Sequence, residues 1–289
     1  MIQINKEDKK YPNQLKRIKR PPERLFMKGN VELLNEPGIA IIGSRKCTKY
    51  GKKIATEFSE ELSRYGFTII SGLAEGIDSY AHQGALNITG KTIAVLPSGT
   101  ENVYPKENIE LYQQIIKNGG LIITEYSAEV EADCKKFLER NRIVSGLALG
   151  TLVVEGGYRS GTSVTAKMTI EQEKCVFCIP SNLDSIKGVT PNLLIKKGAK
   201  LVTVVEDIVN EYKYLNLTKQ KIVKRNIDVC DVNSEYIEIY NLLEKDKGIH
   251  VNDIAKILNL DISEVNYKLM MLELEDKIVA LPGSNYKKK

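Results

Sequence analysis

Ile39-Ala40-Ile41-Ile42-Gly43-Ser44-Arg45 is an apolar, β-branched run that ends on a glycine, and a helix-period segment follows it over about 48 to 65. A strand apolar on both faces belongs inside a sheet covered by helices on either side. The same alternation repeats down the chain. Strands are expected at Ile39 to Gly43, Thr68 to Gly72, Thr92 to Leu96, Leu121 to Glu125, Thr151 to Glu155, Val176 to Pro180 and Lys200 to Val205. Helical stretches near 48–65, 77–89, 106–118, 136–148, 162–173 and 191–197 lie between them. Strands joined by helical crossovers pair in parallel. The spacing therefore predicts an α/β fold with a doubly wound, mostly parallel, Rossmann-like sheet, whose functional loops follow the carboxyl ends of its strands.

After about Asn210 this pattern gives way to a polar, basic stretch with Lys219, Lys221, Lys224 and Arg225, which reads as a linker. Beyond it, Tyr236, Ile237, Tyr240 and Leu243, then Val251, Ile254, Ala255 and Leu258, then Val265, Leu269 and Leu272 mark three short amphipathic helices. Residues 278–286 read as a strand and turn, which makes a small C-terminal winged-helix domain. The expected organisation is a lead-in segment over 1–36, a Rossmann-like domain over 37–213, a linker over 214–232 and a winged-helix-like module over 233–289.

The charge balance, 42 Lys and Arg against 37 Asp and Glu, is a net +5. That excess admits a polyanionic partner only at a local site. Five cysteines, odd in number and widely spaced, favour a reducing compartment. The first residues turn charged at once and no later stretch reaches 18 apolar residues. A cytoplasmic location away from membrane is expected.

Five loops carry the functional signal. Gly43-Ser44-Arg45 places backbone N–H groups, a hydroxyl and a guanidinium between strand and helix, which suits either a tight turn or an anion site. In residues 71–78, Gly72 permits close approach to a ligand, Glu75 is placed to orient an arginine, and Asp78 is placed to cap the next helix. Tyr104-Pro105-Lys106 offers a ring for base stacking beside an ammonium group, or a tyrosine packed under its loop. Arg140-Asn141-Arg142 is expected at a helix start, one arginine being free to pair with Glu139 instead. Residues 155–167 are the strongest of the five. Gly157, Arg159, Ser160, Gly161, Thr162 and Lys167 form a glycine- and hydroxyl-rich nest opening a helix.

Several chemistries are excluded. G-x-G-x-x-G is absent, which argues against a dinucleotide cofactor. Residues 85–92 imitate a P-loop but begin on Ala85 and run from helix into strand, the reverse of what phosphate binding requires. Cys175 and Cys178 form one CxxC with no second pair and read as small core residues. Two histidines and no G-x-S-x-G leave little for a nucleophilic triad. No catalytic centre, metal or cofactor is expected.

With these loops in place, the chain resembles the DprA/Smf family of bacterial DNA-processing proteins. The blocks that carry the resemblance occur in order: Gly43-Ser44-Arg45, residues 71–78, Tyr104-Pro105-Lys106-Glu107-Asn108, residues 140–147, Val153-Val154-Glu155, residues 160–166 and residues 188–195. Family members commonly carry a helical domain ahead of this part, where the chain has about ten residues before Tyr11-Pro12. They also commonly carry a Leu/Ile-Thr pair where Val164-Thr165 stands. The resemblance implies self-association as a homodimer, single-stranded DNA held in a basic pocket, and loading of the RecA recombinase during natural transformation. It implies DNA contact by Arg45 and Lys106, and more weakly by Arg140 and Arg142.

Two rivals are weighed against that reading. Phosphoribohydrolases on a related fold use a P-G-G-x-G-T-x-x-E loop; here Glu155 holds the proline position and Thr165 the position of the glutamate, and threonine cannot titrate near neutral pH. A transcription factor would read DNA with its winged helix, yet residues 262–277 carry Glu264, Glu273, Glu275 and Asp276 against Lys268 and Lys277. An acidic helix is poorly suited to phosphate-lined grooves, so a protein partner suits this module better. The preferred reading is one groove tracking a single strand, with Tyr104 or Tyr158 as the stacking platform.

Overall fold

A computed structural model describes residues 1–158, 160–225, 235–244, 247–275 and 277–289, the side chain of Ile237 excepted. The chain divides into two compact units, Met1–Val229 and Cys230–Lys289.

The first unit is built on a nine-stranded sheet: β1 (Ile2–Asn5), β2 (Arg24–Gly29), β3 (Gly38–Ile42), β4 (Thr68–Ser71), β5 (Thr92–Val95), β6 (Leu121–Thr124), β7 (Gly150–Val153), β8 (Cys175–Cys178) and β9 (Lys200–Leu201). Their order is β1-β2-β6-β5-β4-β3-β7-β8-β9. From β3 to β9 all pairings are parallel. The helices are α1 (Asn13–Lys16), α2 (Lys49–Arg64), α3 (Ile77–Ile88), α4 (Ile109–Lys117), α5 (Cys134–Leu147), α6 (Gly161–Glu171), α7 (Val189–Lys196) and α8 (Glu206–Val209). The chain winds outward from β3 through β4, β5 and β6, then returns to lay β7 on the other side of β3. The β3–β7 junction is thus the topological switch point, where a crevice opens beyond the strand ends.

Strand alternation sorts the core into two layers. Ile39 and Ile41 point into the cluster formed with Ala55, Phe58 and Leu62 of α2 and with Ile77, Ala81 and Ala85 of α3. Ala40 and Ile42 point the other way, with Ile143, Val144 and Leu147 of α5 and Ala166 of α6. Both faces are therefore dry, which explains why β3 to β7 carry no alternation of polar and apolar residues.

Two parts of this unit differ from the sequence expectation. The lead-in segment 1–36 joins the sheet: β2 pairs antiparallel with β6, and β1 with β2. These strands are marked by Leu25 and Met27, which lie in the same core as β6. The start of the basic stretch, read as a linker, lies along α2 and α3. Gln220 N–H reaches the Arg64 carbonyl at 2.9 Å, Lys224 pairs with Glu60 at 2.6 Å, and Lys219 pairs with Glu61. Residues 226–232 of that segment lie outside the described residues.

The second unit holds α9 (Ile237–Leu242), β10 (Ile249–His250), α10 (Val251–Leu258), α11 (Ile262–Leu274), β11 (Ile278–Leu281) and β12 (Asn285–Lys288). Its three strands pair in the order β10-β12-β11. Tyr240, Leu243, Val251, Ile254, Val265, Leu269, Leu272 and Ile278 close one small core, so helix triplet and hairpin stand together as a winged helix.

Candidate nucleic-acid interface

The loop after β3 is shaped by neighbours that leave no room for side chains. A Cβ at Gly43 would meet Ile77 and, at 2.9 Å, the Glu155 carbonyl; one at Gly76, whose φ is 74°, would overlap the carbonyls of Ser44 and Arg45. The Ile77 N–H reaches the Ser44 carbonyl at 3.2 Å. Thr48 caps α2 by accepting the Gly51 N–H at 3.0 Å. Its own N–H and hydroxyl donate to the Glu155 carboxylate at 2.9 and 2.5 Å. Glu155, buried at the end of β7, therefore bolts together the two loops that flank the switch point.

A pocket of about 310 Å³ opens there. Ser44, Arg45, Gly72, Arg140, Asn141, Gly157, Ser160, Gly161 and Thr162, all expected at the site from sequence, line it. Phe137 and Lys187, not singled out from sequence, line it too. One wall is the start of α6, whose first turn carries no acidic residue. A Cβ at Gly161 would meet nothing within 4 Å, so the backbone there is open to a ligand. Ser160 stands at the N-cap, but its hydroxyl has no hydrogen-bond partner among the described residues. A helix start with an open Gly161 and no acidic residue in its first turn suits an anion.

Arg45 is exposed, and its guanidinium lies 4.7 Å from the centre of the Phe137 ring. Phe137 in turn packs edge-on to Tyr104, with centroids 5.4 Å apart. A cation and two rings thus stand in sequence at the mouth of the pocket, Tyr104 being exposed. Tyr158, the other candidate platform, is also exposed.

Arg140 is placed differently from its expected role. α5 begins at Cys134 under an Asp133 cap, so Arg140 sits in mid-helix and not at the start. Its side chain is buried in the floor of the pocket, where one guanidinium nitrogen donates to the carbonyls of Gly72 and Val95. A Cβ at Gly72 would overlap that guanidinium. Burial holds the Arg140 pKa down to about 10, while Asp78 opposite works to raise it. Burial pushes Asp78 up, and Arg140 with the Gly72 N–H, 3.1 Å from the carboxylate, works against that rise. Asp78 therefore serves the floor of the pocket; the residue at the N-cap of α3 is Gly76. Glu75, expected to orient an arginine, is exposed, and this buried Asp78 is the acid facing one. Behind them His82 is fully buried, with Nδ1 2.7 Å from the Thr92 hydroxyl. Burial first, and Arg140 second, pull its pKa down to about 3.

Three expected residues lie apart from this pocket. Arg142 points away and pairs with Glu125 at 2.6 Å, rather than with Glu139. Residues two apart on a helix cannot share a face, so only one arginine of the Arg140–Arg142 pair reaches this floor. Lys167, nearly two turns into α6, pairs with Glu171 at 3.6 Å. Lys106 lines a separate depression of about 390 Å³ with Lys28 and Gln113. Arg159 lies outside the described residues. Of the CxxC pair, Cys178 is buried but Cys175 is exposed at the strand start. Lys187 was legible in principle as a cation in the loop after β8, on the same sheet edge. Phe137 was legible only as one apolar residue among those of α5.

No group of three His, Cys, Asp or Glu able to hold a metal occurs among the described residues, and no helix there is long and apolar enough to cross a membrane.

The model of the DNA recombination-mediator protein A family matches residues 3–213, and that of the DprA winged helix domain matches residues 229–284. Protein Smf of Escherichia coli is 34% identical over 275 residues, covering 94% of this chain and 74% of its own. DNA processing protein A from Streptococcus pneumoniae superposes with a TM-score of 0.69 at 38% identity, over 73% of this chain and 74% of that one. The Helicobacter pylori protein of the same name, described for its single-stranded DNA binding mode, superposes at 0.66 with 30% identity, over 75% of this chain and 97% of that one.

Proposed function

The chain belongs to the DNA recombination-mediator protein A family, the DprA/Smf DNA-processing proteins, and from that membership we propose that it binds single-stranded DNA in the pocket at the β3–β7 switch point. One observation carries the reading: Arg45, Lys187, Ser160 and the open start of α6 converge on one cavity, with Phe137 and Tyr104 at its mouth. Phosphate meets the helix start and the cations, and a base stacks on the rings. Gly157 and Thr162 shape the wall, and Arg140 shapes the floor from within. Lys106 and Lys167 serve the strand beyond the pocket.

The cellular role that follows is protection of incoming single strands and loading of RecA in natural transformation, by a cytoplasmic homodimer. The exposed Leu193, Leu201 and Val204 near the free β9 edge suit self-association. The protein acts by binding rather than catalysis. A phosphoribohydrolase would need a carboxylate where Thr165 stands, and that hydroxyl is bonded to the Gly161 carbonyl at 3.3 Å.

The test is a fluorescence titration of an unstructured oligonucleotide against duplex DNA over a salt series. Arg45→Glu is expected to weaken single-strand binding by at least ~2 kcal/mol through charge reversal at a phosphate contact. A folded variant that binds like wild type would sink this placement, and release of free base from nucleoside monophosphates would establish the enzyme instead.

A further inference from the structure

In a winged helix that reads DNA, the second helix of the helix-turn-helix pair presents donors and cations to base edges and phosphates. The solvent face of α11 is built otherwise. Tyr267, Met270 and Leu274 are 50%, 51% and 74% exposed, while Val265, Leu269 and Leu272 fill the core behind them. With the exposed Ser263, they fall at spacings of four, three and four residues, so they form one narrow seam along the helix. That seam spans three turns, about 16 Å at 1.5 Å per residue.

The charges beside the seam are acidic. Glu273 and Glu275 are exposed at its far end, where the helix dipole is also negative. Glu264 stands near its start, and its cation, Lys268, is largely buried against it at 2.6 Å. Asp261 adds an exposed carboxylate at the start of α11, while on α10 the exposed Asp253 is offset by the exposed Lys256. A phosphate backbone would be repelled along this face, and its apolar side chains would stay unmatched in a groove. An apolar stripe spaced like a coiled-coil seam, with acidic flanks, matches an amphipathic helix with basic flanks.

We propose that the exposed seam of α11, Tyr267, Met270 and Leu274 between acidic flanks, is a docking site for a basic amphipathic helix of a partner protein. The winged-helix module then recruits protein while the sheet domain holds the strand. The proposal does not depend on where DNA binds.

The probe is a synthetic three-heptad peptide with Leu at its seam positions and Lys on both flanks, together with a twin carrying Glu on the flanks. Each is titrated against the full chain by fluorescence anisotropy. The Lys peptide is expected to bind saturably and the Glu peptide not to bind. Met270→Glu and Leu274→Ser, both at exposed positions, are expected to weaken the Lys peptide roughly tenfold or more, the scale of a central interface residue. Glu273→Lys with Glu275→Lys should shift preference toward the Glu peptide without touching the seam. Equal binding of the Lys peptide to wild type and Met270→Glu, or none to either, would overturn the proposal. So would a loss of duplex-DNA affinity in Met270→Glu, which would place this face on a duplex. Oligonucleotide binding, followed on the same samples, should not move in any variant; a chain that binds peptide but no single strand would retain this proposal and refute the other.

Discussion

At the scale of single residues, Arg140 lines the pocket from a buried position and is tied to the fold on its inner side. Its guanidinium closes the carbonyls of β4 and β5 and faces Asp78 under the pocket. Arg140→Ala should cost roughly 3 to 5 kcal/mol in urea unfolding, because a buried carboxylate and two carbonyls lose their partner. A cost near zero would show the floor to be solvated. His82 makes the fold acid-sensitive. Its folded pKa is depressed to about 3 from 6.5, so the unfolded chain takes up a proton first and stability is lost as pH falls below about 6.5, continuing toward 3. The slope from this group reaches at most about 1.4 kcal/mol per pH unit. Asp78, raised by burial, acts in the opposite sense over its own titration. His82→Gln should flatten the acid limb of a stability–pH profile measured beside wild type; an unchanged slope would remove His82 from the account.

At the scale of elements, the two loops of the switch point act as one because Glu155 holds the N-cap of α2. Thr48→Ala removes both the cap and the hydroxyl contact. It should cost about 1 to 2 kcal/mol, the upper part of the range for caps. It should also weaken single-strand binding while leaving Arg45 in place, a pairing that loss of stability alone would not produce under native conditions. The sequence told much at this scale. Parallel strands, crossovers and the loop-bearing edge were legible because a strand buried on both faces has to be apolar throughout. β1 and β2 were not legible: β1 is a four-residue edge strand and β2 carries Arg24 and Lys28, and only pairing, β2 with β6 and β1 with β2, makes them strands.

For the whole molecule, salt dependence measures how many phosphates are neutralised. Among the described residues, Arg45 and Lys187 are the cations lining the pocket beside Arg140. Two phosphate contacts on a single strand predict a log–log salt slope of about −1.4, and Arg45→Ala should reduce its size by about 0.7. A longer oligonucleotide that reaches Lys106 should steepen the slope, and Lys106→Ala should abolish only that increment. If Lys106→Ala weakened short and long oligonucleotides equally, the two depressions would form one site.

Composition, periodicity and loop chemistry by themselves determined the doubly wound sheet, the winged helix and the sheet edge that carries the glycine-rich loops. They did so because burial on two faces and close approach to phosphate each restrict residue type locally. Only the tertiary structure decided which cations share a cavity. Arg140, Arg142, Lys106 and Lys167 are similar basic residues in similar loops and helices. Yet one lies in the floor, one is paired to Glu125, one sits in another depression and one is tied to Glu171. Those outcomes depend on which carbonyls and carboxylates the fold brings alongside each residue, and such neighbours are fixed by packing across the sheet, far away in sequence.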